Sequence, residues 1–578
     1  MSRFHRRSSI EDVLAQSDSR EIVQELAPEL LDSPFIAQAA MFPIGGILEL
    51  LLGTGDGRSE TVLQRLAQIE DRTQRPAEAP PIPVAEDYEP ESVERGSASV
   101  TVPEDAAQNR TVEIVLHGPS HGNPFVDVDL RAQFRNGDAE LEVGGFYDGD
   151  GRHVLRFLPE TAGEWTFATE SNARSLDRIA GHVDVAASDA PGAVRVVDDF
   201  HFAHADGTPY PPLGTTAYAW THQPEPLQEA TLRSLAGAPF TKLRMGLFPK
   251  DFLYNANEPE RFVFPRGEDG DWDTTRFDLD YFRHLERRIA DLDVLGIQAD
   301  LILFHPYDRW GFARLGSAAD DRYVSYVARR LSAFPNVWWS LANEYDLLLD
   351  KTEDDWNRIG RLVQQNDPAG HPLSIHNWID LWDYSSDWAT HTSIQRGDGL
   401  NGSVRDWRRR WGKPVLVDEC GYEGDLDQGW GFLTAEEELQ RMWDVTMGGG
   451  YATHGETFLT EGDEVFWAKG GTLRGESPER LAFLLGIVAE SPTGRLDPLP
   501  STFDAATAGV DGEYLLTYFG RGRPGVRDVV VPEGLTAVID VIDTWNMTVD
   551  TLPGEHTGTV RVTLPARPYT AIRLRRAS

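Results

Sequence analysis

The 578-residue sequence has one cysteine, Cys420, so no internal disulfide can staple it. Basic residues are also scarce: 54 Lys and Arg stand against 93 Asp and Glu, a formal charge of −39. Nucleic acids and anionic membranes both call for basic patches, so neither is an expected partner. No long apolar run is present. The most apolar early stretch, residues 39–53, is interrupted by Pro43, Gly45 and Gly46 and is too short to span a bilayer. The opening MSRFHRRSSIEDV has charge but no apolar core behind it, so a cytoplasmic protein without a secretory signal is expected. No glycine-rich nucleotide fingerprint follows a strand-like segment, and no HExxH occurs. Neither a cofactor nor a metal is therefore expected; His454 and Glu456 would be the first pair to suspect of holding one.

Hydrophobic residues make up 40% of the chain and aromatics 10%, which suits a folded protein rather than a disordered one. Residues 1–72 read as a helical module. Ser9 can cap a helix through Val13 and Leu14, and Ile22, Val23, Leu26, Leu30 and Leu31 continue a helical period that Pro28 and Pro34 interrupt. Residues 47–52 and 62–69 add further apolar faces, and homo-oligomerisation through this module is an expectation. Residues 73–94, rich in Pro, Ala and Glu, read as an extended linker. Residues 95–190 hold alternating strands with turns at Asn136-Gly137 and Asp148-Gly149, as an antiparallel β-sandwich requires. Residues 491–578 read as a second sandwich.

Between them, residues 191–490 alternate strand and helix. PPLGTTAYAW, FTKLRMGLFP, IQADLILFHP, PNVWWSLANEYDL, PLSIHNW, Trp388 to Ile394, KPVLVDE and GYATHGETFL give eight strands, with seven helical segments between them. Eight βα units over about 300 residues predict a (β/α)₈ TIM barrel; an open doubly wound sheet is the alternative.

Two of these strands end on acids. PNVWWSLANEYDL is an apolar run that stops at Asn343-Glu344, and KPVLVDE stops at Asp418-Glu419. A lone strand-end acid often only caps the next helix. Two of them, 75 residues apart, are different, because parallel barrel strands all end on one face. Glycoside hydrolysis needs two carboxyls flanking the scissile bond, one protonated and one ionised.

Longer strings carry a resemblance. HGPSHGNPFVDVDLRAQF, GGFYDGDG and RFLPETAGEWTFATESN resemble the immunoglobulin-like domain that precedes an apiosidase-like or family-5-like barrel in bacterial glycoside hydrolases. GGTLRGESPERLAFLLGIV is similar to the tail of the same group, and the N-terminal helices resemble modules appended to some carbohydrate-active enzymes. Asn343-Glu344 with Glu419 resembles the catalytic pair of clan A glycosidases, which are retaining (β/α)₈ enzymes. The resemblance implies that Glu344 is the general acid/base and Glu419 the nucleophile. It implies that Asn343 holds the hydroxyl beside the anomeric carbon and that Arg244 steadies the nucleophile. Pentofuranosides, apiosides, galactosides and glucosides all stay open as substrates, and an exo-acting pocket is expected. A catalytically silent carbohydrate-binding scaffold, an inverting glycosidase and a lyase are the alternatives.

Other polar residues at strand ends are candidates for a sugar pocket: His305, Asp308, His376, His391, Tyr422, Glu423, His454 and Glu456. Fourteen of the 16 tryptophans fall in the barrel segment, and tryptophan faces stack on sugars. Trp220, Trp310, Trp378 and Trp467 lie at or beyond strand ends and are the platform candidates; Trp338, Trp407, Trp411 and Trp443 are expected in the core. Cys420 beside Glu419 is expected to be a buried thiol.

Overall fold

The computed structural model describes residues 3–33, 36, 39–53, 57–73, 80–86, 88–427, 429–462 and 464–577. Pro34, and residues 74–79 and 87 of the expected linker, lie outside the described residues.

Eight parallel strands form the centre: β1 (Gly214–Thr216), β2 (Lys242–Gly246), β3 (Gln298–Phe304), β4 (Val337–Ala342), β5 (Leu373–Ser374), β6 (Thr392–Gln395), β7 (Val415–Glu419) and β8 (Tyr451–His454). They are hydrogen-bonded in the order β5-β4-β3-β2-β1-β8-β7-β6. A single parallel bridge, His376 to Ser393, links the two edges, so the sheet is a nearly closed barrel. Helices Glu225–Ala236, Leu279–Val294, Ser317–Leu331, Glu353–Asn366, Leu400–Trp411 and Ala435–Met447 lie between strands, and Ser477–Ala489 follows β8. Among the described residues there is no helix between β5 and β6, where one was expected. There the Asp346 carboxylate accepts the backbone N–H groups of Trp378, Ile379 and Asp380 at 2.6–2.8 Å. Those donors are committed to a side chain from the preceding loop and organise an irregular turn instead.

The barrel interior is layered. A hairpin, Val194–Val197 with His201–His204, covers its floor, where Val194, Phe202 and Tyr210 pack on Trp338 of β4 and Leu416 of β7. The next layer is charged: Lys242 Nζ lies 2.6 Å from Asp300 and 2.8 Å from Asp418. A buried charge pair persists only when its remaining valences are satisfied. Ser393 and Thr453 supply this, each donating its hydroxyl to Asp418 at 2.6 Å. In β7 the register shifts: Ile394 pairs with Val417, but Gln395 with Glu419. The extra residue lets Asp418 and Glu419, although consecutive, both serve the barrel interior.

Two four-stranded antiparallel sheets form the preceding sandwich, from Ser99–Thr101 to Ala180–Val185, around Ile114, Phe134, Phe157 and Trp165. It docks on the barrel helices through Arg156, which donates to Glu286 at 2.7 Å, and through its Asp148, which accepts from Arg330 of helix Ser317–Leu331 at 2.8 Å. The C-terminal region is a six-stranded antiparallel sheet, Asp497–Thr502 to Thr570–Arg576, with the two-stranded ribbon Val526–Val530 and Thr559–Thr563.

At the other end of the chain, helices between Ile10 and Leu66 enclose Ile10, Val13, Val23, Ile44, Leu48 and Val62. Ser9 caps the first of them, accepting the Asp12 N–H at 3.0 Å. Trp378, from the barrel, packs against this core. The module therefore sits beside the C-terminal mouth of the barrel.

Candidate active site

The mouth is built from the ends of β1, β2, β4, β5 and β7. Glu419 is the last residue of β7 and is buried. The Tyr218 hydroxyl donates to its Oε1, Arg244 Nη1 lies 3.2 Å from the same atom, and His376 Nε2 lies 3.4 Å away. Burial alone would favour the neutral acid. The nearby His376 imidazole, the Arg244 guanidinium and the Tyr218 hydroxyl overcome it and hold Glu419 well below the usual carboxylate range.

Glu344 follows β4 and takes a left-handed backbone, φ 53° and ψ 57°. That conformation costs a non-glycine residue roughly 1–2 kcal/mol. Its carboxyl is also buried, but among the described residues no arginine reaches it. The Tyr307 hydroxyl donates to Oε2, and Asn343 Nδ2 does so at 3.2 Å. Burial first, and the Glu419 charge second, push its pKa up to about 8, against the pull of Lys250. At neutral pH one carboxyl is thus an anion and its neighbour a proton donor.

One guanidinium ties the two strands together. Arg244, buried in the middle of β2, reaches Glu419 with Nη1 and donates through Nη2 to Asn343 Oδ1 at 3.0 Å. The Tyr218 hydroxyl is also 3.0 Å from that oxygen. Asn343 is left with its amide facing Glu344, so its rotamer is fixed from both sides.

Lys250 completes the mouth. Its Nζ lies 3.7 Å from the Tyr218 ring centroid, 4.2 Å from Tyr307 and 4.8 Å from Trp467. Burial lowers its pKa to about 8, against the charges of Glu344 and Glu419. Trp467 and Tyr422 border the same space, 5.9 Å apart, and Tyr422 is buried beside Glu419. Phe42 of the helical module packs 6.2 Å from Tyr307 and 5.4 Å from Trp378, so the module contributes a ring to the Glu344 side.

Of the sequence candidates, the structure brings together Glu344, Glu419, Arg244, Asn343, His376, Tyr422 and Trp467. His305 lies one step below, its Nε2 3.1 Å from the Phe248 carbonyl. The others do not join them. Asp308 spends both oxygens on its own loop, accepting from Trp310, Gly311 and Ala313 at 2.7–3.1 Å. His391 precedes β6 and packs on Trp338 and Phe202 at the barrel floor, the opposite end. Trp220 is fully buried with Nε1 toward Met245 Sδ, and presents no face to a sugar. Trp310 stands at the outer rim, bonded to Glu258 and overlaid by Arg309. Trp378 is covered by the helical module rather than open. His454 and Glu456 point away from the mouth: Thr453 faces the interior, so His454, next along the strand, faces out onto Phe240 at 4.7 Å. Cys420 is buried, and burial pushes its thiol up to about 12.

Tyr218, Tyr307 and Lys250 were not among the sequence candidates. Each lies within a quoted segment or just past it, in TTAYAW, FHPYD and LFPKD. A polar residue one to four positions beyond a barrel strand was the available signal.

A parallel barrel with paired buried glutamates at its C-terminal mouth has the architecture of the TIM-barrel glycosidases. Comparison with known proteins agrees. Residues 198–458 match the family described as "Apiosidase-like, catalytic domain". Residues 106–172 and 503–575 match two domain families of unknown function, DUF5060 and DUF5605. The crystal structure of a "putative glycoside hydrolase" from Bacteroides vulgatus ATCC 8482 is 36% identical, covering 82% of this chain and 100% of its own, with a TM-score of 0.77. A family 5 glycoside hydrolase from the same organism shares the fold, at 15% identity and a TM-score of 0.53 over 67% of this chain and 94% of its own. None of the curated proteins compared matches the chain. The chain belongs to the family of the 36%-identical protein and is a glycoside hydrolase of TIM-barrel type. No helix among the described residues is long and apolar enough to cross a membrane.

Proposed function

We propose that this enzyme cleaves a terminal O-glycosidic bond with retention of configuration, by double displacement through Glu419 and Glu344. The observation that carries the reading is the asymmetric setting of the two carboxyls: Glu419 has Arg244, His376 and Tyr218 around one oxygen, while among the described residues Glu344 accepts hydrogen bonds from Tyr307 and Asn343 and pairs with no arginine. In the first step Glu419 attacks the anomeric carbon as Glu344 passes its proton to the departing oxygen. The glycosyl ester neutralises Glu419, which removes the repulsion that, after burial, raised the proton affinity of Glu344. Glu344, now an anion, takes a proton from the incoming water, and the ester is released. Asn343, held by Arg244, is placed to bond the hydroxyl next to the anomeric carbon. Trp467 and Tyr422 form the sugar wall on the Glu419 side.

Exo action rests on the helical module, whose Phe42 stands on the Glu344 side of the mouth, where the leaving group departs. The apiosidase-like match of the barrel makes terminal apiosides the first substrates to test, with other pentofuranosides, galactosides and glucosides beside them. A cytoplasmic site of action would mean that the substrates are oligosaccharide fragments already imported. Self-association through the module rests on Leu50 and Leu51, which are exposed on helix Ile44–Leu52.

The test is an aryl-glycoside panel, furanosides included, run with the wild type and with Glu419→Gln and Glu344→Gln. Loss of several orders of magnitude in both variants on the sugar that is cleaved supports the assignment. Near-normal turnover in either variant removes that residue from the mechanism. Sugar binding without turnover by the wild type would favour a silent carbohydrate-binding scaffold.

A further inference from the structure

Beside the mouth, on the outer side of β7 and β8, three more glutamates converge with a histidine. Glu423, Glu438, Glu456 and His454 are all within 3% of fully buried. Glu423 lies on a short strand paired in parallel with Glu456, Glu438 on helix Ala435–Met447, and His454 at the end of β8. Each carboxylate takes backbone donors. Glu438 accepts from Glu423 N at 2.9 Å and Gly455 N at 3.1 Å. Glu423 accepts from Glu476 N, Ser477 N and Ser477 Oγ at 2.5–3.0 Å. Glu456 accepts from Arg474 N at 2.6 Å and Gly475 N at 2.8 Å. Among the described residues no Lys or Arg side chain pairs with any of the three. Buried carboxylates of one sign, without a cation, repel one another strongly.

The histidine is the second observation. His454 Nδ1 is bonded to Thr215 Oγ1 at 3.0 Å, whereas Nε2 is fully buried and has no hydrogen-bond partner among the described residues. Nε2 faces the acids, 3.9 Å from Glu438 Oε2. With its proton on Nδ1, donated to Thr215, the imidazole presents a bare lone pair to the carboxylates. That is the arrangement in which an outer hydrogen bond fixes the tautomer of a metal-binding histidine. One ligand atom each from Glu423, Glu438 and His454 lie within 4.8 Å of one another. Small rotations of the glutamate side chains would bring them to the 2.0–2.2 Å that a divalent ion demands.

We propose that Glu423, Glu438 and the Nε2 of His454 bind one divalent transition-metal ion, Zn²⁺ or Mn²⁺, with Glu456 as a flanking carboxylate. The oxygen-rich set suits Mn²⁺, and the imidazole admits Zn²⁺. The role is structural. The ion ties the short strand after β7, one residue from Tyr422, and the end of β8 to helix Ala435–Met447. The inference is independent of which residue attacks the sugar.

The full-length protein is stripped with EDTA, incubated with Zn²⁺ or Mn²⁺ alone, desalted and assayed for metal by mass spectrometry, with thermal melts alongside. About one equivalent retained, a melting temperature several degrees above the stripped protein, and loss of that equivalent in His454→Gln and Glu438→Gln are expected. Retention below a tenth of an equivalent by the wild type overturns the proposal and leaves shared protons as what neutralises the acids. Undiminished retention in both variants overturns it too, by locating the metal elsewhere on the acidic surface. Should the variants fail to fold, X-ray absorption of the loaded wild type decides. A shell of oxygens with one imidazole supports the site; a shell without an imidazole, or with several, refutes it.

Discussion

Replacing Glu419 by Gln should make Glu344 a stronger acid. In the wild type burial comes first and the Glu419 anion second in raising Glu344 to about 8. The substitution keeps shape and burial and removes the charge. Double displacement sets the carboxyls about 5 Å apart. At an effective dielectric of about 20, two unit charges at that distance repel by ~3 kcal/mol, or about 2 pKa units. Glu344 should therefore fall by about 2 units in Glu419→Gln, yet stay above an ordinary glutamate because burial remains. The assay is a carbon-13 NMR titration of protein labelled at the glutamate carboxyls. The Glu344 signal is assigned by its disappearance in Glu344→Gln. A shift under half a unit would show that burial alone sets the proton affinity and that the two carboxyls are too far apart for a shared bond. A rise would refute the electrostatic scheme outright.

The other predictions follow from the same contacts. In the wild type, kcat/KM on a substrate with a poor leaving group should fall as pH rises through about 8, where Glu344 loses its proton, and hold to well below pH 7 because Glu419 stays ionised. Lys250→Met removes a cation that pulls that pKa down, so the alkaline limb should move to higher pH; a limb moved to lower pH would contradict this. Arg244→Met should cost about 3–5 kcal/mol in chemical denaturation, because it strands buried acids, and lower kcat/KM by roughly 10²–10³. Phe42→Ala should leave kcat on a small aryl glycoside within about threefold. It should change KM for larger leaving groups by about fivefold, the worth of one aromatic contact of about 1 kcal/mol; no change would place the module away from the substrate.

The barrel and its two acids were legible because they rest on short-range rules. Buried parallel strands read as apolar runs, and an acid that ends such a run has one face to go to. Arg244 and Asn343 were legible for the same reason, through strand position and resemblance. What was not legible depends on side-chain direction. His454 sits at a strand end like Glu419, but alternation along β8 sends it outward, while a register shift in β7 keeps Glu419 inward. Trp220 lies four residues past β1, where a turn folds it into the core. Tyr218, Tyr307 and Lys250 meet only because three different loops converge, which no local pattern encodes. The missing helix after β5 belongs to the same class, since Asp346, some 30 residues earlier in the chain, organises that turn.

The most direct test of double displacement is the anomeric configuration of the first product. Proton NMR during the opening minutes of hydrolysis, before mutarotation, records it without any variant. Double displacement predicts the configuration of the substrate, retained. An inverted first product would mean that water attacks directly, that Glu419 acts as a base, and that the proposed glycosyl ester does not form.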